Sequence, residues 1–484
     1  MSTEVRLQHD TAAARRPGLI LIATCGAQLM LMIDDTVVNV ALPTLGRRLG
    51  FSASLLPWVV DAFMIAFGGF MIFNGRIADL FGRKRMFVAG LVLFVSGSLA
   101  AGVSRTAAML VIARGVQGFA GALLAPAALG ILATTFQAPD QRRKALGVWG
   151  AATGLSGIAG VLLGGIITGL LGWRWVFLIN LPAGVVILAA IVIADPLNAR
   201  PGKQSRLDLI GAMLVSAGLV TLVWGVLRAT AHGWADTATV ISLVCAAALL
   251  GSFVLREARV GDPIVELGLF HRRSFSAAIA CMFLAAAGMY SMVFFLTQYM
   301  QTVQGWSPVR TGVSWLSFGI LFMVATGLSI KLTPKIGTRG LILAGGLLGC
   351  AGQLMLLRTS VGGDYWSQLA PAIALMGAGI GLAFVPVYVT ALHGHDTGKS
   401  SVVSALLATM QQLGGAVGVA VLASVAISQG HSALARTHDP RLALIDGFHS
   451  GFLVAAAFMA ALATCAFLMP SVAEEIDMEA VQGL

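Results

Sequence analysis

The sequence predicts an all-α polytopic membrane protein of fourteen transmembrane helices in a 6+2+6 arrangement, and three observations predict it. Of its 484 residues 57% are hydrophobic and only 11% charged, with a mean hydropathy of +0.88, more apolar surface than a soluble fold can hide. The apolar residues gather into fourteen runs, most near the ~20 residues that carry a helix across the hydrocarbon core. Finally, 21 of the 31 Lys and Arg fall in the tails and connections on one side of these runs and nine on the other. That bias places both termini in the cytoplasm of a multi-pass cell-membrane protein. It also accounts for the net charge of +10, which elsewhere would suggest nucleic acid.

Taken in order, the first six runs are 18–42, 55–73, 86–103, 107–134, 145–170 and 176–194. They are followed by a polar stretch and then an extra pair, 208–228 and 237–255, almost free of intramembrane polarity. The last six are 276–300, 312–330, 340–357, 369–391, 402–427 and 450–470. The domains expected are a six-helix bundle over 1–194, a linker carrying the extra pair over 195–274, and a second bundle with a short tail over 275–484. Two bundles with a substrate path between them is the arrangement of folds built from repeated halves. The extra pair reads as a spacer or a lipid-facing appendage. The first run is too long for a secretory leader and carries two aspartates. The five cysteines, Cys25, Cys245, Cys281, Cys350 and Cys465, all fall inside runs and read as free buried thiols.

Charges inside a membrane are costly and therefore informative. Apart from Asp208 and Arg228 at the two ends of the seventh run, only Asp34, Asp35, Asp61 and Arg114 lie within runs, at similar depth in the first, second and fourth helices. Opposite charges at one depth can pair, and a carboxylate that alternates between a cationic partner and an apolar surrounding can take up and release a proton. On a helical wheel Asp35 shares a stripe with Thr24, Gln28 and Asn39, with Asp34 about 100° away. No run from the ninth to the fourteenth holds an Asp or Glu. That half offers rings and neutral polar groups, among them Gln298, Tyr299, Gln301, Phe384, Tyr388, Gln411 and Gln412, and Gln28, Asn39 and Gln117 face them from the first half. Such a cavity suits a neutral or monocationic hydrophobic molecule.

Several motifs together carry a family resemblance. Between the second and third runs stands Asn74-Gly75-Arg76-Ile77-Ala78-Asp79-Leu80-Phe81-Gly82-Arg83-Lys84-Arg85, a short basic connection with one carboxylate. Lys335-Ile336-Gly337-Thr338-Arg339 echoes it in the second half. With these go Asp34-Asp35-Thr36-Val37-Val38-Asn39, Ala113-Arg114-Gly115-Val116-Gln117-Gly118, and Gly157, Gly160, Gly164 and Gly165 in the fifth run. The set resembles the fourteen-span drug:proton antiporters of the major facilitator superfamily, exporters of drugs and antibiotics. The resemblance implies a major facilitator fold and alternating access. It also implies proton coupling through Asp34 and Arg114, which Asp61 joins by its depth in the membrane, with Asp34 matching the signature aspartate and Asp35 the other candidate. Gly75, Asp79, Gly82, Arg83, Lys84 and Arg85 would form a cytoplasmic gate. Val161 stands where the family usually has proline, which keeps an importer or symporter of the same fold in view.

Other features exclude competing functions. Gly394 to Ser400 is one residue short of a phosphate loop and follows an apolar run. Gly377, Gly379 and Gly381 lie within a run and read as helix-packing glycines. His393 and His395 have no third ligand nearby, and all eight histidines read as lying in tails or loops. No catalytic set is visible, so neither an enzyme nor a cofactor is expected, only the proton gradient. The partners expected are a small hydrophobic substrate, protons and lipid, with no nucleic acid and a monomeric chain. A non-transporting membrane sensor is the remaining alternative.

Overall fold

The computed structural model describes residues 16–52, 54–136, 138–194, 208–261, 263–392 and 397–469. The side chains of Arg76 and Asp79, and residues His393, Gly394 and His395, lie outside the described residues. The described chain is helical throughout, without strands. The first six helices are α1 Pro17–Leu49, α2 Trp58–Phe81, α3 Arg83–Gly102, α4 Ala107–Thr135, α5 Pro139–Leu170 and α6 Trp175–Ala194. Next come α7 Leu209–His232 and α8 Thr237–Glu257. Then α9 is Arg273–Gln298, prolonged by a π turn to Val303. Helix α10 begins at Pro308 and runs through a short break at Trp315 to residue 336; α11 covers 338–355. Helices α12 Ala370–Leu392, α13 Thr397–Thr437 and α14 Pro440–Cys465 complete fourteen among the described residues.

The basic stretch at 74–85 is less of a loop than its charges suggest. Nothing in Asn74–Phe81 breaks a helix, so α2 continues to Phe81 and α3 starts at Arg83. The whole turn is made by Gly82, at φ 94° and ψ 127°, a left-sided conformation open to glycine. The second half repeats the device: Gly337, at φ 75° and ψ 166°, is the one non-helical residue between α10 and α11. The echo seen in the sequence is thus a repeated single-glycine hinge. Helix ends also shift where caps were overlooked. Pro139 opens α5 and Pro440 opens α14, each at the first helical position, where its missing N–H costs nothing. Asp439 caps α14 through the Arg441 amide at 2.8 Å, so Asp446 and His449 fall inside a helix, and Asp446 is exposed. Cys245 is exposed on α8, not buried.

Helix α1 packs on α4, α5 and α6, and α4 packs on α2 and α3. In the second half α9 packs on α12, α13 and α14, while α12 lies along α10 and α11. Helix α7 touches both halves, lying against α2 and α13, with Val220 over Gly69 and the Trp58 and Trp224 rings edge to face at 5.0 Å. Helix α8 contacts α7 and otherwise turns Ile241, Val244, Val254 and Leu255 outward, so of the extra pair only α8 is an appendage. Outward-facing apolar side chains on this scale are solvated by lipid tails.

Candidate functional site

The deepest polar residues of the first half form one cluster. Arg114, fully buried on α4, donates through Nη1 to Asp34 Oδ2 on α1 and through Nε to the Val59 carbonyl of α2 at 2.9 Å. Asp34 Oδ1 accepts from Gln117 Nε2 at 3.1 Å and from Asn180 Nδ2 at 2.6 Å. Ser98 of α3 accepts from the same two amides at 2.8 and 3.2 Å. The Arg114 guanidinium also lies 4.4 Å from the centre of the Phe63 ring. Five helices therefore meet on one ion pair, with the carboxylate accepting from three side chains. Close approach makes this possible. A Cβ at Gly97 would lie 2.9 Å from Gln117 Cγ, and one at Gly118 would strike the Phe63 carbonyl.

The other two carboxylates are placed differently. Asp35 Oδ2 accepts from the Tyr290 hydroxyl of α9 at 3.0 Å, and its Oδ1 has no partner. Asp61 is fully buried on α2 and both of its oxygens are without a partner. Sequence depth allowed Asp61 to pair with Arg114; the structure gives Arg114 to Asp34 instead. Two turns along the same face of α2, Gly68 lies against Gln412 of α13, so Asp61 faces the junction of the halves.

The cavity residues read from the sequence separate into groups. Gln117 belongs to the Asp34 cluster and Tyr299 does not line a cavity. It is fully buried at the far end of α9, where its hydroxyl donates to the Ser360 carbonyl at 2.7 Å and accepts from Gln304 at 2.7 Å. Gln301 Nε2 donates to the Val40 carbonyl at 2.8 Å, a contact between the halves. Asn39 turns back to the Asp35 carbonyl at 3.2 Å. Gln28, Gln298 and Gln412 are buried, and the half-buried Phe384 and Tyr388 rings lie 5.1 Å apart. Gln411 lies near the Tyr290 hydroxyl.

The glycines of α5 divide likewise. At Gly160 a Cβ would collide with Thr36 of α1, and at Gly164 it would lie 2.6 Å from the Val37 carbonyl. Gly165 faces α10, its Cβ position 2.5 Å from the Pro308 carbonyl and 3.0 Å from Gly312 Cα. Gly157 meets nothing within 4 Å and plays no part in packing. Helix α5 is continuous past Val161. On the far side of the molecule from Gly82 the two halves are therefore closed, by Gly165 on Gly312 and by Gln301 on Val40. At the Gly82 end, Arg83 donates to the Gly130 carbonyl of α4 at 3.0 Å, and a Cβ at Gly75 would lie 3.8 Å from Pro126 Cβ.

Sequence reasoning missed Tyr290, Ser98 and the role of Asn180. A phenol inside a membrane helix needs a partner, which is the signal that could have singled out Tyr290. Ser98 is a small residue in an apolar run and carries no comparable signal.

A multi-pass helical membrane protein with charged groups buried in one half has the architecture of a secondary transporter. Residues 24–419 match the Major Facilitator Superfamily, and the chain belongs to it. It is 37% identical to the puromycin resistance protein pur8 of Streptomyces alboniger over 93% of this chain and 90% of that one. It is 36% identical to the cephamycin export protein CmcT of Amycolatopsis lactamdurans over 94% of this chain and 92% of that one. Among solved structures, a bacterial homologue of the human lysosomal transporter Spinster, inward-facing and unoccupied, superposes with a TM-score of 0.65 over 94% of this chain and 97% of that one. At 15% identity that likeness speaks for the fold alone.

Proposed function

We propose that this protein is a proton-coupled exporter that moves small hydrophobic molecules, drugs or antibiotics among them, out of the cell by alternating access. The observation that carries the reading is the set of three buried carboxylates in three surroundings: one paired with Arg114, one held by a tyrosine, one unpartnered. A titratable group with more than one available surrounding in the membrane can link proton transfer to rearrangement. The relatives named for puromycin resistance and cephamycin export support the direction and the kind of cargo. In this reading both termini are cytoplasmic, the Gly82 end faces the cytoplasm, and the basic connection with Asp79 is the gate on that side. Asp34, Asp61 and Arg114 couple the proton; Asp35 enters with Tyr290.

The substrate's charge follows from the second half. No buried Asp or Glu stands in α9–α14 among the described residues, and Asp446 of α14 is exposed. A second positive charge on the substrate would go uncompensated there, at a cost of several kcal/mol. The test is uptake of a labelled lipophilic monocation and of a rigid dication of similar size into everted membrane vesicles energised with a proton gradient. We expect the monocation to accumulate, to leak out when the gradient is collapsed, and to be preferred over the dication. Gradient-independent uptake would overturn the coupling, and equal uptake of the dication would overturn the placement of the cavity.

A further inference from the structure

We propose that Tyr290 is the second-half residue through which the charge on Asp35 acts, clasping α1 to α9 while the carboxylate is ionised and releasing it on protonation. The inference rests on the proton-coupled reading above. Tyr290 stands where both halves meet. Its hydroxyl donates to Asp35 of α1 and lies near Gln411 of α13. Its ring lies against Gly415 of α13, where a Cβ would be 3.0 Å from Cδ2 and also 3.0 Å from Met64 Sδ of α2. Both Asp35 and Tyr290 are buried, so water does not replace the bond within the closed arrangement.

A hydrogen bond to a carboxylate is about twice as strong as one between neutral groups, so protonating Asp35 weakens this contact selectively. The groups that face Asp35 are few. Helix α1 itself brings Asp34 and α4 brings Arg114, while Tyr388 of α12 lies near Tyr290; α5 and α6 present no ionisable side chain at that depth among the described residues. Arg310 of α10 stacks on Trp306 at the far end. With Arg114 bonded to Asp34, Tyr290 is the donor that holds Asp35.

The test uses Tyr290→Phe, which keeps the ring and removes the hydroxyl, beside Asp35→Asn and the double variant, in proteoliposomes across a range of internal pH. We expect each single variant to lose about tenfold in proton-driven transport where the wild type is fastest and to flatten the pH profile. The double variant should be no worse than either single one, since all three remove the same charge-assisted bond. In parallel, spin labels at Leu171 and Val313, in a background lacking the five native cysteines, should report a pH-dependent separation in the wild type and a pH-independent one in the variants. Should Tyr290→Phe not fold, Gly415→Ala displaces the same ring from the α13 side and should act alike. A wild-type pH profile in Tyr290→Phe, or losses that multiply in the double variant, would overturn the clasp. If the wild type moved no substrate against a proton gradient, the exporter reading would fall, and the label distances would still decide the clasp.

Discussion

In the first six helices close glycine contacts surround a buried cluster of charged and amide side chains; in the last six, among the described residues, the glycine contacts stand without a buried charge. Asp34, Arg114, Gln117, Asn180 and Ser98 tie α1, α3, α4 and α6 together. In the other half Gly345 of α11 and Gly379 of α12 face each other, each Cβ position 2.5 Å from the other's carbonyl oxygen. Gly346 is packed on Ala463 of α14 in the same way, and the buried Gln353 donates to the Gly288 carbonyl at 3.0 Å and to Met376 Sδ at 4.0 Å. Both solutions hold membrane helices close, because small residues and internal hydrogen bonds are what association in lipid can use. Only the first can change with a proton. In the proposed mechanism the first half carries the energy coupling and the second the neutral wall facing the substrate.

The comparison breaks most visibly at the ion pair. Arg114→Met leaves Asp34 buried without its cation, which costs about 3–5 kcal/mol for a pair of this kind. We expect a large fall in thermal stability in detergent and no transport. Adding Asp34→Asn should restore much of the stability and none of the coupling. Equal stability of the single variant and the wild type would show that the pair is not what holds the first half.

Gly379→Ala sharpens the contrast from the other side. The added methyl must separate α11 from α12, at a cost of about 1–3 kcal/mol. Expression and unfolding temperature should fall, while the pH profile of the protein that remains folded should match the wild type. A shifted profile would mean that the glycine seam is itself part of coupling.

The smallest effect is expected outside the membrane. Asp236, at the start of α8, is bonded to Arg228 at 2.9 Å and accepts from the Thr239 amide at 3.1 Å. The Arg228 hydrogen bond, then the Thr239 amide, hold its carboxyl below the usual aspartate value of 3.8. A depressed folded-state value contributes stability that is present above the unfolded value and lost as pH falls through the folded one. Asp236→Ala should therefore loosen α8 slightly at neutral pH, make no difference in strong acid, and leave transport unchanged. Thermal unfolding of the two proteins against pH reads this directly.

Much of this was legible in the sequence, for physical reasons. A buried charge is expensive, so Asp34, Asp35, Asp61 and Arg114 stood out by their rarity. Pairing was less legible, since depth along a helix is readable and azimuth between helices is not: Asp61 and Asp34 were equal candidates for Arg114. The neutral members of the cluster carry little signal, because a serine or asparagine in an apolar run costs little until it is packed. The glycines divided in the same way, with Gly164 and Gly165 one residue apart and facing α1 and α10 respectively. Tyr290 was hidden because its role depends on a residue 255 positions away.

The central claim is that a first-half carboxylate converts the proton gradient into export, and Asp34→Asn tests it most directly. The variant keeps the shape of the side chain and removes the titratable charge. In proteoliposomes, gradient-driven accumulation of substrate should be lost while exchange of substrate across the membrane at equal concentrations and equal pH continues. Accumulation that follows the gradient as in the wild type would contradict the account, and would move the coupling away from the cluster on which it is built.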